Sequence, residues 1–226
     1  MGKPTPFSFV VMDVHQNSLV VDVTGVLLAG GKSRRMGEDK RYLSIEGQSL
    51  LERSAAALRA VFRTVFVIIA QDSPPLTMEV PVFRDMIADR GSLGGLYTGL
   101  KQSKTGHVFV VACDMPFLDP GTMRWFAGLK DGFDVVMARL ENRLHPMHAL
   151  YSQRCVPVLE EMVVRRDLKI QRLLGNPSLA VRIVEEKELK DLAPDARGFF
   201  NVNTPADLEA ARLLARSDDS STAGRG

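Results

Sequence analysis

From Val23 onward, short apolar runs rich in β-branched residues alternate with stretches of helical character. Val23 to Leu28, Val65 to Ala70, Val80 to Phe83, Val108 to Cys113, Phe133 to Ala138 and Val181 to Val184 read as strands. Between them, Leu50 to Phe62 puts Leu50, Leu51, Ser54, Leu58, Val61 and Phe62 on one side of a helix. Gly95 to Lys101, Pro120 to Leu129, Ser152 to Arg165 and Leu168 to Leu174 also have helical character, the second with proline in its first turn. Thr204-Pro205-Ala206-Asp207 is a helix start, with Thr as N-cap, Pro at the first position and a carboxylate at the third. Leu208, Ala211 and Ala215 then share a face. This alternation predicts an α/β chain: a three-layer α/β/α arrangement whose mostly parallel central sheet is covered on both faces. Val108 to Cys113 shows no polar alternation, as a central parallel strand would not.

The chain has 226 residues, and nothing in it repeats. Residues 23–216 read as one domain, 1–22 as an N-terminal extension and 217–226 as a polar, unordered tail. The extension holds two apolar stretches, Phe9 to Met12 and Leu19 to Val23, around a polar break, so it is either an added hairpin or an unordered arm. Basic and acidic side chains nearly cancel, leaving a net charge of +2, which argues against nucleic acid as the main partner. No apolar run approaches the length of a membrane span, and Asp13 and His15 interrupt the only candidate leader. The two cysteines cannot form a disulfide framework, and Cys113 lies in an apolar run. Together these features predict a cytoplasmic protein that binds neither nucleic acid nor membrane.

In sheets of this kind ligands bind at the carboxyl ends of the strands. After the first strand come Gly30, Gly31 and Gly37 with Lys32, Arg34, Arg35 and Lys40. Glycines let the backbone approach a ligand and expose amide donors, and Arg35 and Lys40 can neutralise phosphate oxygens. By composition this is a phosphate-binding loop, although a solvated Gly/Lys/Arg loop is about as common. It is not a P-loop, because Val26 stands where that motif needs glycine. Nor is it a dinucleotide fingerprint, because Gly30 and Gly31 are adjacent. The strand Val108 to Cys113 runs into Asp114, a carboxylate placed to hold a hard cation together with phosphates and water. Asp85 and Asp89 precede Gly91-Ser92-Leu93-Gly94-Gly95, which reads first as a glycine-rich helix entry and second as another close backbone approach. His145 and His148 flank a proline and lack a carboxylate or cysteine cluster, so His148 reads as a packed strand residue rather than a zinc ligand. Asn201 and Asn203, if extended, present their amides to one side.

Four of these pieces, in order, carry a resemblance. Leu28-Ala29-Gly30-Gly31-x-Ser33-x-Arg35-Met36-Gly37-x-Asp39-Lys40 resembles the signature loop of nucleotidyltransferases with a glycosyltransferase-A-like fold, in the version of the molybdenum cofactor guanylyltransferases. Cys113-Asp114-x-Pro116-Phe117, His145-Pro146 with Ala149-Leu150-Tyr151, and Asn201-Val202-Asn203-Thr204-Pro205-x-Asp207-Leu208 are similar to further motifs of that family. The likeness spans about Thr24 to Ala215. It implies a Rossmann-like nucleotidyltransferase that joins GMP from GTP to the terminal phosphate of molybdenum-molybdopterin, using Mg²⁺ and releasing pyrophosphate. It also implies transient contacts with proteins of cofactor biosynthesis or molybdoenzyme maturation. By motif, Leu28, Ala29, Gly30, Gly31, Lys40, Asp85 and Asp114 would bind the nucleotide, with Asp114 holding the metal. Arg35, Lys40 and Asp114 would be catalytic, and Asn201 and Asn203 would face the pterin substrate or reaction centre. Two departures stand out. Ser92 replaces the proline of the family's Gly-Pro-Leu-x-Gly, which predicts a looser loop. Ile69 occupies the place of a nucleotide-contacting Asn, with Gln71 as its nearest substitute.

Overall fold

The computed structural model describes residues 18–30, 39–193 and 195–223. It contains β1 (Val20–Leu28), β2 (Ser44–Ile45), β3 (Gln48–Ser49), α1 (Leu50–Arg59), β4 (Phe62–Ile69), β5 (Val82–Arg84), α2 (Gly91–Gln102) and β6 (His107–Ala112). These are followed by α3 (Pro120–Gly128), β7 (Val135–Leu140), β8 (Arg143–Ser152), α4 (Cys155–Val164), β9 (Val181–Glu185), α5 (Glu186–Leu192) and α6 (Pro205–Ala223). Seven strands form one sheet in the order β5-β4-β1-β6-β8-β7-β9, while β2 and β3 pair separately. β5, β4, β1 and β6 are mutually parallel, and β9 is parallel to β7. β8 runs antiparallel to both neighbours, so β6 has a parallel partner on one side only. The two-residue turn between β7 and β8 has Glu141 and Asn142 at positive φ, which matches strand twist in a tight hairpin.

Strand side chains alternate between the two sheet faces, and helices cover both. Leu27 of β1, Val67 of β4 and Phe109 of β6 join one cluster with Leu58 of α1 and Phe126 of α3. Val26, Ile68 and Val110, one residue along, join the other with Leu96 of α2 and Leu159 of α4. The α/β/α expectation therefore holds. A third, smaller cluster seats Leu208, Ala211 and Ala215 of α6 on Ile45, Leu50 and Val202, using the face read from the sequence.

Several boundaries move. β1 begins at Val20, so the domain includes residues assigned to the extension; residues 1–17 lie outside the described residues. α1 starts with a Ser49/Glu52 capping box but stops at Arg59. The Phe-Arg-Thr-Val-Phe-Val-Ile-Ile run from Phe62 has strand-forming composition and extends β4, with Phe62 stacked on Phe109 rather than on a helix face. The expected helix near Leu168 is a short 3₁₀ segment, Ile170–Gly175. α6 continues past Ser217 to Ala223, where polar composition pointed to unordered chain. α2 starts at Gly91, four residues before the expected Gly95, so Ser92 stands in a helical first turn rather than in a loop. Among the described residues no helix is long and apolar enough to cross a membrane.

Candidate active site

The carboxyl ends of β1, β4, β5 and β6 open on one cleft of about 470 Å³. Its walls are Leu28 at the end of β1 and Gly30 just after it, the turn Ala70 to Ser73 after β4, Asp85 after β5, and Gly91 and Ser92 at the start of α2. Close approach of backbones shapes it. A Cβ on Gly30 would lie 3.0 Å from the Ala70 amide nitrogen, so any side chain there would press on the opposite wall. A Cβ on Gly95 or Gly99 would meet Leu28 or Val26, at 3.1 and 3.0 Å. These glycines let α2 lie directly on β1, which brings its first turn to the cleft. Arg90, the N-cap of α2, makes no side-chain cap, so the helix-start N–H groups have no side-chain acceptor from that residue.

Asp85 sits beneath that turn. Its Oδ1 accepts from the Ile87 amide at 3.0 Å and the Thr98 hydroxyl at 2.9 Å. Burial pushes its carboxyl upward, against those two hydrogen bonds. A Cβ on Gly94 would come within 2.6 Å of its Oδ2, so glycine is what admits the carboxylate. The Ala70 to Ser73 wall is held from outside. Arg84 Nη1 donates to the carbonyls of Gln71 at 2.6 Å and Ser73 at 2.8 Å, with Ala70 further away at 3.4 Å. Nothing in the sequence marks this role of Arg84, because its partners are backbone carbonyls. Ile69 and Gln71 both line the cleft, Ile69 as a buried core residue and Gln71 as an exposed one.

Ala112 continues the lining to the end of β6, two residues before Asp114. There, three segments distant in sequence meet. Lys40 Nζ donates to the Val202 carbonyl at 2.9 Å and Asn203 Oδ1 at 3.0 Å, and stands 3.7 Å from Asp114 Oδ2. The Val202 amide donates back to the Asp114 carbonyl at 2.8 Å. Asp114 Oδ1 is buried without a hydrogen-bond partner. Burial raises the Asp114 carboxyl, and the Lys40 ammonium opposes that shift. Lys40 is aimed by its neighbours: Asp39 caps the 3₁₀ turn Lys40–Tyr42 and takes a two-pronged ion pair from the buried Arg41 guanidinium. Asn203 is fixed by its own segment, since Asp207 Oδ2 accepts from the Asn203 and Thr204 amides.

The structure thus brings Lys40, Asp114 and Asn203 together and sets Leu28, Gly30 and Asp85 around the adjoining cleft. Ala29 is buried behind it, its amide bonded to Ile68. Asn201 does not reach Lys40; its amide donates to the Phe199 carbonyl at 3.1 Å. Gly31 and Arg35 lie outside the described residues. Cys113 is half-buried beside Asp114, and burial pushes its thiol up to about 12, which makes it a poor nucleophile.

A family model described as a MobA-like NTP transferase domain matches residues 25–182. The chain belongs to the MobA-like NTP transferase family. It is 36% identical over 198 residues to a probable molybdenum cofactor guanylyltransferase of Pelotomaculum thermopropionicum, covering 88% of this chain and 96% of that one. It is 31% identical over 197 residues to a molybdenum cofactor guanylyltransferase of Desulfosudis oleivorans, covering 86% and 96%. A solved structure of molybdopterin-guanine dinucleotide biosynthesis protein A from Archaeoglobus fulgidus superposes with a TM-score of 0.74 at 23% identity, over 86% of this chain and 99% of that one. This member of the MobA-like family is a nucleotidyltransferase with a glycosyltransferase-A-like fold.

Proposed function

We propose that this enzyme transfers GMP from GTP to the terminal phosphate of molybdenum-molybdopterin and releases pyrophosphate. The observation that carries the reading is the meeting of Lys40, Asp114 and Asn203 at the end of a nucleotide-sized cleft, in a chain whose curated relatives bear that activity in their names. The cleft between Gly30, the Ala70 to Ser73 wall and α2 takes the nucleoside. Asp85, with Oδ1 committed to Ile87 and Thr98, offers Oδ2 to it. Gly31 and Arg35 belong to the same proposal as phosphate contacts from the signature loop, on motif alone.

Reactants of like charge have to be brought together. Unit charges about 4 Å apart repel by about 4 kcal/mol at an effective dielectric of about 20. Lys40 supplies a fixed cation at the meeting point of the two substrates, and its bonds to Val202 and Asn203 hold it there before either arrives. The acceptor phosphate is already ionised, so attack on the α-phosphorus of GTP needs no strong general base. Asp114 fits a divalent cation: one carboxylate oxygen is buried without a donor, and Lys40 faces the other. Among the described residues no second carboxylate, histidine or cysteine joins it in a three-ligand cluster, so phosphate oxygens and water would complete the coordination shell. Mg²⁺ bound there would neutralise charge on the triphosphate and on the leaving pyrophosphate. Asn203, bonded to Lys40, faces the acceptor, with Asn201 two residues away.

Purified enzyme with Mg²⁺ and molybdenum cofactor is expected to release pyrophosphate with GTP and not with CTP. Release with CTP alone would keep the fold and replace the base; release without the cofactor would remove the acceptor. Arg84→Ala is expected to weaken GTP binding about five- to tenfold, the worth of one or two ordinary hydrogen bonds, by freeing the Ala70 to Ser73 wall. Titration calorimetry checks this, and an affinity equal to the parent's would rule out the clamp.

A further inference from the structure

His148 is the one fully buried histidine among the described residues, and nothing in the reaction above uses it. It lies on β8 opposite Val111 of β6, the strand that leads to Asp114. Its ring stacks on Phe199 at 4.3 Å and meets Phe109 and Phe126 edge-on or tilted, at 5.3 and 5.7 Å. Nδ1 lies 3.2 Å from the Gly198 carbonyl. A carbonyl only accepts, so Nδ1 carries the proton and Nε2 holds the lone pair. That Nε2 is buried with no donor. Burial also keeps the ring neutral, pushing its pKa down to about 3 against the opposing pull of the Gly198 bond.

A side chain needed only to fill this aromatic space would be less costly as phenylalanine, which leaves no orphaned nitrogen. What histidine adds is the bond to Gly198. That carbonyl opens the segment Gly198 to Asn203, whose later residues reach the reaction centre. Val202 exchanges bonds with Asp114 and Lys40, and Asn203 accepts from Lys40. His145, on the same strand, packs edge-on against Phe199 at 5.2 Å, so β8 holds the segment by one hydrogen bond and two ring contacts.

We propose that His148 is a positioning residue: its Nδ1–H bond to Gly198 sets where the 198–203 segment stands, and so where Asn201 and Asn203 meet the acceptor. The kinetic part rests on the acceptor-side reading above; the positioning itself does not.

Two substitutions separate bond from bulk. His148→Phe keeps the ring and removes the donor. His148→Asn keeps a donor near the Nδ1 position and removes the ring. For His148→Phe the expected result is a melting temperature close to the parent's, because the orphaned Nε2 is removed while the Gly198 carbonyl loses its donor, an unchanged KM for GTP, and a KM for molybdenum cofactor raised about five- to tenfold. Hydrogen exchange of peptides spanning 198–203 is expected to speed up while β6 and β8 stay protected. His148→Asn is expected to lower the melting temperature yet keep 198–203 protected. Parent-like exchange and acceptor KM in His148→Phe would overturn the proposal. If that variant does not fold, fast exchange at 198–203 in folded His148→Asn would overturn it equally. A parent enzyme that transfers no GMP would defeat the acceptor reading, while the exchange data would still decide the positioning role.

Discussion

Replacing Asp114 by asparagine is expected to cut nucleotidyl transfer about a thousandfold at saturating Mg²⁺, with no loss of fold stability at neutral pH. The two halves of this expectation share one cause. The carboxylate is buried, one of its oxygens has no donor, and Lys40 only partly offsets the burial. Its pKa is therefore higher in the folded chain than in the unfolded one. A carboxyl raised in this way costs stability where it is ionised, above the folded value, and costs none below the unfolded value of about 3.8. The melting temperature of Asp114→Asn relative to the parent should therefore rise on going from acid to neutral pH. On the proposed reading, the costly charge is kept because a divalent cation would need it. Steady-state turnover across a Mg²⁺ titration, with melting curves at several pH values, checks both halves. Near-normal turnover at high Mg²⁺ would remove Asp114 as a required ligand.

Lys40→Ala is expected to lower kcat/KM by two to three orders of magnitude, and for both substrates. Lys40 differs from Asp114 in holding the centre together as well as carrying charge. Its ammonium joins the Val202 carbonyl, the Asn203 side chain and the Asp114 carboxylate, so its loss frees the acceptor-side segment as well as the nucleotide side. Lys40→Arg should not restore the rate. A bulkier, planar guanidinium cannot replace a compact ammonium that reaches three oxygens in different directions. Separate KM values for GTP and for molybdenum cofactor are the relevant readout. A loss confined to GTP would show that Lys40 only neutralises phosphate, and an unchanged rate would place it outside the centre.

The parts of this site that were legible in the sequence are those whose chemistry is local. Gly30 and Lys40 stand in a loop after an apolar strand, and Asp114 ends a run with no polar alternation; strand-end position alone made them candidates. The motif resemblance added Asp85 and the two asparagines, whose side chains alone would read as caps or turns. Contacts between distant segments were not legible. Lys40 finds the Val202 carbonyl 162 positions away, and no side-chain pattern marks a backbone acceptor. Arg84 on an edge strand reads as a solvated charge until its carbonyl partners are known. His148 was correctly read as packed, but what its Nδ1 holds depends on a turn 50 residues later.

The fold shows the same division. Layering followed from the alternation of elements, and the face of α6 from its period. Errors fell where tertiary packing decides. Phe62 left the expected helix because stacking on Phe109 and pairing with Val20 suit a strand start. α2 reached back to Gly91 because Gly94, Gly95 and Gly99, poor helix formers in isolation, are what allow it to lie on β1 and Asp85. A strand at His148 was legible, but the antiparallel direction of β8 was not, because its buried run resembles that of its parallel neighbours.

The central claim is that one site moves the α-phosphate of GTP, with its guanosine, onto the acceptor's phosphate. The most direct test supplies the enzyme with GTP labelled on the α-phosphate, Mg²⁺ and molybdenum cofactor, and follows the label. The expected result is a labelled guanine dinucleotide form of the cofactor, formed in equal amount to pyrophosphate and about a thousandfold more slowly in Asp114→Asn. Label that stays in GTP or appears as free GMP, or equal transfer by the Asp114→Asn variant, would contradict it.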